Sequence, residues 1–182
     1  MVLRCLLLVL LSGSVYGQQL LSNGHFTHGV SPWDNPYHTP QWLSTDGHHQ
    51  PGALMFSDQD NNSGSIYIYS EKIPVVPGYH YLIGTSYKYP ASATPAYMKM
   101  IVEWYDASDN LVSTWPWHTV FDMSQPDTWL NFDGEVSNDY GGGVFARVVL
   151  TLQTHPAGTM NNEARYDDVL FYQDTVFMSD FE

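Results

Sequence analysis

The sequence predicts an all-β protein, a single sandwich of two packed sheets. Short runs of β-branched and aromatic residues recur at roughly regular spacing, with turn formers between them. No stretch sustains a helical apolar period. Residues 97–106 and 144–155 alternate between an apolar and an amphipathic face, which is the pattern of strands buried on one side.

Residues 1–17 are expected to lie outside the fold as a signal peptide. Arg4 gives a charged start, the apolar run Leu6–Leu11 is too short to span a membrane, and Val15 and Gly17 suit cleavage before Gln18. The chain is therefore expected to be secreted, extracellular or periplasmic, with no membrane insertion. Cys5 leaves with the signal, so no disulfide or thiolate site can brace residues 18–182. That length suits one domain with a sizeable core. Only six Lys and Arg stand against 19 Asp and Glu, a net charge of −13. Such a surface repels phosphate backbones, anionic membranes and strongly anionic polysaccharides, so nucleic acid is not an expected partner. A monomer is expected.

Taken in order, an opening strand near residues 20–26 leads into a long loop over 30–50, rich in Pro and carrying Trp33, Tyr37 and Trp42. Strands are expected at 52–56, 65–73 and 79–89, with a polar turn at 57–64 that holds the sequon Asn61-Asn62-Ser63. In residues 97–106, Met98, Met100, Val102 and Trp104 form the apolar face and Tyr97, Lys99, Ile101, Glu103 and Tyr105 the other. A strand at 111–115 follows the Asp109-Asn110 turn, then a second long loop, then strands at 129–136 and 144–154. Gly141-Gly142-Gly143 is a turn, since no helix or lysine follows to serve a phosphate. In the last strand, strict alternation places Asp167 on the face of Val169 and Phe171, where a carboxylate needs a neutralising partner, an ion or backbone N–H groups.

The two chain ends carry a further pattern. Leu20, Leu21, Asn23, Gly24, Phe26, Gly29 and Trp33 open the domain; Asp167, Asp168, Val169 and Phe171 close it. Between them stand Val75-Val76-Pro77-Gly78-Tyr79 and the run from Glu103 to the Tyr105-Asp106 turn. In order and spacing these segments resemble the non-catalytic carbohydrate-binding modules of the galactose-binding-like β-jelly-roll type, known from cellulose- and xylan-binding proteins. The resemblance covers nearly all of residues 18–182 and implies a jelly-roll sandwich that binds a polysaccharide or oligosaccharide, with Trp33 structural. It also implies a structural Ca²⁺ tying the opening segment to the Asp-Asp strand. Asp167 is the expected carboxylate ligand, with Asp168 the alternative if a bulge shifts the alternation, and oxygens near Asn23 and His25 complete the shell. Thr27 stands where the family often has Glu, which weakens that site.

For the sugar itself, planar polar groups and aromatic rings are the candidate donors. Arg147 and Gln153 lie on the amphipathic face of residues 144–155, and Glu103 and Tyr105 on the similar face of residues 97–106. Trp115 and Trp117 flank Pro116, which stiffens the backbone that presents them; Tyr37 and Trp42 are further loop candidates, while Trp129 is expected in the core. His25, His28, His48 and His49 lack the helical spacing of a zinc enzyme and read as surface residues. No nucleophile motif is present, so the expectation is not an enzyme. The enzymatic rival is a jelly-roll polysaccharide lyase, with Arg147 on a uronate and His155 or a Tyr moving the proton. A third reading is a secreted adhesion or structural domain without a sugar ligand.

Overall fold

Where the sequence alternates, the chain forms strands with one sealed face. Met98, Met100, Val102 and Trp104 are all essentially buried, as are Ala146, Val148, Leu150 and Leu152 on the partner strand. The computed structural model describes residues 17–58, 64–93, 95–115, 121–139, 142–153 and 162–174. The residues before Gly17, where a signal peptide is expected, the Asn61 sequon, Trp117, Gly141, His155 and the tail after Asp174 lie outside the described residues.

The strands are β1 (Gln41–Leu43), β2 (Ala53–Asp58), β3 (Ser65–Tyr69), β4 (Ile73–Pro74), β5 (His80–Lys88), β6 (Tyr97–Tyr105), β7 (Leu111–Trp115), β8 (Leu130–Ser137), β9 (Phe145–Gln153) and β10 (Asn162–Gln173). They form two antiparallel sheets, ordered β1-β2-β10-β5-β8 and β3-β9-β6-β7, with β4 also pairing β9. The chain passes repeatedly from one sheet to the other, which gives the expected jelly-roll sandwich.

Aromatic rings fill the space between the sheets. Tyr81 stacks on Phe171 at 5.0 Å, Phe56 on Tyr166 at 5.6 Å and Tyr87 on Phe121 at 4.2 Å. With no described residue contributing a disulfide or a helix, this apolar burial is the main source of stability.

Four details differ from the sequence reading. The opening segment is no regular strand: it is a turn-rich stretch docked on β10 through the Gln19–Tyr172 bridge, Leu20 N–H to the Phe171 carbonyl (2.9 Å) and Val169 N–H to the Gly24 carbonyl (2.9 Å). The strand expected at 65–73 is split, because the Ser70 hydroxyl takes the Val148 N–H in place of a regular ladder partner. The long Pro-rich loop contains a three-residue edge strand, β1. In β10 a bulge between Asp167 and Leu170, with Asp168 at φ 46°, breaks the alternation. Ala164 and Tyr166 face the core before it, Val169 and Phe171 after it. Asp167 therefore does not share a face with Val169; it pairs with Ser86 on the outer side of its sheet, beneath the loop at residues 46–50.

Candidate functional site

The outer face of the β3-β9-β6-β7 sheet collects planar and aromatic groups. The pattern Ser65-Ile66-Tyr67-Ile68-Tyr69 buries both isoleucines and turns Tyr67 and Tyr69 outward, next to Thr151 and Val149 of β9. Across β9, Arg147 pairs with Glu103, Phe145 with Tyr105, and Gln153 with Tyr97. Tyr67 and Tyr69 have ring centroids 6.4 Å apart. The Arg147 guanidinium lies 4.7 Å over the Tyr69 ring, held by its Nε–H bond to the Ser70 carbonyl (2.9 Å) and by Asp34 at 3.5 Å. Tyr97 donates to Gln153 Oε1 at 3.1 Å, and the Ser65 hydroxyl donates to the same oxygen. Tyr105 donates to Glu103 Oε2 at 2.5 Å, and Lys72 Nζ sits 4.1 Å over its ring. Burial, with Glu103 as acceptor and neighbouring charge, holds the Tyr105 phenol far above its ordinary value.

Of the residues expected to bind sugar, Arg147, Gln153, Glu103 and Tyr105 are thus brought onto one face. Tyr37 is 87% exposed in the loop that pairs with the β3 edge through Asp34 and Tyr69. Trp115 is placed elsewhere: it pairs with the buried Val102, so it shares the core-side face of an edge strand rather than the face of Glu103. Trp42 pairs with the buried Leu54 on the other sheet and spends its indole N–H on the Phe26 carbonyl at 2.6 Å. Tyr67 and Tyr69 were not singled out, although the alternation of β3 carried the signal. Trp33 is buried edge-on against Phe26 at 5.6 Å, as the resemblance implied. Trp129 is not a core residue; it lies half-buried against Lys88 Nζ (4.7 Å) and His48.

The other sheet carries a groove of about 1020 Å³ across β10, β5 and β8. Its floor is aliphatic, with Leu82 and Leu170 flanking Gly84, and its rim is acidic, with Asp133, Glu135 and Asp174. Among its outward-facing residues, Tyr172 is the aromatic ring.

At one end of that groove the opening segment meets the β10 bulge. Asp167 is 1% exposed; its Oδ2 accepts the His48 N–H and its Oδ1 the Asp168 N–H, both at 2.7 Å. Burial pushes its carboxyl up to about 6, against the pull of those two N–H groups. Asp168 points to the histidines instead: His25 Nδ1 is 2.7 Å from Oδ1, and His48 and His49 Nδ1 are 3.0 and 2.6 Å from Oδ2. Burial would raise Asp168, but its hydrogen bonds with His49, His25 and His48 bring it below the usual carboxylate range. His48 and His49 lie in a bend rather than a strand, so they do not point oppositely; their rings are 3.9 Å apart. The Asn23 amide is committed to the Gly29 and Ser31 carbonyls at 2.8 Å each.

These donors fit a hard cation poorly. Ca²⁺ needs six to eight oxygens. Here both Asp167 oxygens already take N–H groups, the Gly24 and Phe26 carbonyls are taken by Val169 and Trp42, and Thr27 offers a neutral hydroxyl. Nitrogen donors surround the other carboxylate.

No family model and no curated protein matches the chain. Solved structures do. The xylan-binding domain CBM22-1 of Paenibacillus barcinonensis Xyn10C matches with a TM-score of 0.62 at 15% identity, over 86% of this chain and 95% of that one. A family 16 carbohydrate-binding module matches at TM-score 0.59 and 15% identity, over 84% of this chain and 98% of that one. The enzymatically active domain of tailspike protein 4 from bacteriophage CBA120 matches at TM-score 0.62 and 12% identity over 86% of this chain, which spans only 21% of that one. At this identity the likeness shows the fold: a β-jelly roll of the type found in carbohydrate-binding modules.

Proposed function

We propose that the protein is an exported, non-catalytic carbohydrate-binding module that holds a neutral β-glycan on the outer face of the β3-β9-β6-β7 sheet. The observation that carries this is the set of tyrosines on that face, Tyr67, Tyr69, Tyr97 and Tyr105, interleaved with Arg147, Glu103 and Gln153. Rings stack on the C–H faces of sugars, and fixed planar groups meet their hydroxyls. The fold supports the reading, because solved carbohydrate-binding modules share it. The net charge of −13 favours a neutral glycan over an acidic one. The aliphatic, acid-rimmed groove on the other sheet offers less stacking surface.

Among the described residues of the site, nothing favours a lyase. A tyrosine that moves protons near neutral pH needs a lowered pKa, whereas Tyr105 is raised, and Arg147 is already engaged by Ser70 and Asp34.

The test is a panel of soluble and insoluble neutral glycans in affinity gels and pull-downs, with reducing-end and unsaturated-product assays on the same samples. Binding without products is expected. Products would establish the lyase, and neither binding nor products would leave an adhesion or structural domain. Tyr69→Ala should weaken binding and Leu82→Asp should not; the reverse pattern would move the site to the other sheet.

A further inference from the structure

We propose that His25, His48, His49 and Asp168 form a binding site for a transition-metal dication of the zinc class, separate from the glycan face. Four donors from three distant segments converge there: the opening segment, the loop at residues 46–50 and the β10 bulge. Among the described residues, His48, His49 and Asp168 are a group whose ligand atoms all lie within 4.8 Å of one another, and His25 reaches the second Asp168 oxygen.

The chemistry selects the class of ion. Three imidazoles and one carboxylate suit zinc, cobalt or nickel, whereas calcium wants oxygens throughout. Three of the four ligands, His48, His49 and Asp168, already lie within 4.8 Å of one another, and His25, on the other Asp168 oxygen, has to swing in to complete the shell. A tetrahedral zinc with bonds of about 2.0–2.2 Å holds its ligands about 3.3 Å apart, so the present N···O separations of 2.6–3.0 Å need to open by about half an ångström. The side chains of His25 and His49, 60% and 71% exposed, have room for that movement and leave a path for the ion.

The carboxylate of the site is fixed by the bulge. The left-handed bulge residue Asp168 aims its carboxylate outward, and its side chain is 16% exposed. His48 Nδ1 also lies 2.9 Å from the Ser86 hydroxyl, which donates to Asn131 Oδ1 at 2.9 Å, so an ion on that nitrogen would displace the Ser86 contact. Charge also balances: a dication would face two adjacent carboxylates, Asp168 in the shell and Asp167 buried behind it. Such an ion would clamp the opening segment to the last strand in a domain without disulfides.

The experiment uses the purified protein stripped with EDTA and then dialysed free of chelator. Zn²⁺ at about a hundredfold excess over its Kd should raise Tm by about 5–10 °C. Co²⁺ should give the visible absorption of a tetrahedral nitrogen–oxygen site, and millimolar Ca²⁺ should give neither response. His25→Gln and His49→Gln each replace an exposed ring and should weaken zinc binding by more than about tenfold while the far-UV spectrum stays unchanged. The proposal is overturned if Zn²⁺ and Co²⁺ produce no response, if the response survives the H25Q/H49Q pair, or if Ca²⁺ alone shifts Tm. Glycan binding, assayed on the other sheet, should be the same with and without Zn²⁺, so failure of one assignment leaves the other measurable.

Discussion

The Tyr166 hydroxyl donates to the Thr151 carbonyl at 2.6 Å, joining β10 of one sheet to β9 of the other through the middle of the core. Tyr166 is fully buried and stacks on Phe56, so its ring fills volume while its tip satisfies a backbone acceptor. Tyr166→Phe keeps the volume and leaves that carbonyl without its phenol donor. The expected cost is about 1–3 kcal/mol, read as a lower urea midpoint at unchanged slope.

The same phenol predicts an alkaline limb. Burial holds Tyr166, and also Tyr105, above the ordinary value for a tyrosine. A group raised on folding contributes stability that is complete below its unfolded pKa, about 10, and is lost as pH climbs toward the folded value. The domain should therefore lose stability steadily above about pH 10, with phenolate absorbance appearing in step with unfolding. Tyr166→Phe, though less stable at pH 8, should show a shallower alkaline decline. Equal slopes for both proteins would refute this.

Much of this fold was legible because β6 and β9 alternate without interruption: Met98 to Trp104 and Ala146 to Leu152 name their buried faces, and the polar partners follow on the other side. Alternation is blind to a bulge, however. One extra residue at Asp168 inverts the faces of β10, which is why Asp167 was read beside Val169 and lies on the opposite side. Isolated rings in loops were equally opaque. Trp42 and Trp115 face as they do because of the strands they pair with, Leu54 and Val102 being their neighbours. The histidine cluster has no local signal, since it exists only once residues 25, 48, 49 and 168 are folded together.

Gly24 marks where the opening segment presses on β10. A Cβ there would collide with the Val169 carbonyl, and the Gly24 carbonyl takes the Val169 N–H at 2.9 Å. Gly24→Ala should lift the segment and cost about 1–3 kcal/mol, the range for losing a backbone bond with its packing. Hydrogen exchange at Val169 and Phe171 should accelerate more than at Leu150 in β9. Uniform acceleration would indicate global destabilisation instead.

On the glycan face, Tyr67→Ala and Tyr69→Ala each remove a partly exposed ring whose Cβ emerges from β3. Each should cost about 1–2 kcal/mol of glycan affinity, roughly five- to thirtyfold in Kd, with Tm nearly unchanged. Tyr69 also carries the Arg147 guanidinium, so a double-mutant cycle with Arg147→Met should show coupling between the two in isothermal titration. Strict additivity would mean that the stack does not act on the ligand as a unit.

Asp167 separates two accounts of how the β10 bulge is held to the segments packed on it. Its oxygens accept the His48 and Asp168 N–H groups, fixing the loop at residues 46–50 over the bulge. Asp167→Ala strands both donors beneath that loop, and Asp167→Asn keeps one acceptor oxygen while turning an amide N–H₂ toward the other donor. The expected costs are about 2–4 kcal/mol for Ala and somewhat less for Asn. Because backbone donors meet this carboxylate, the loss should be the same in EDTA and in millimolar Ca²⁺. A calcium ion on Asp167 makes the opposite prediction: chelation would lower the wild-type Tm, Ca²⁺ would restore it, and the variants would respond to neither. Differential scanning calorimetry of the three proteins in the two buffers decides between them.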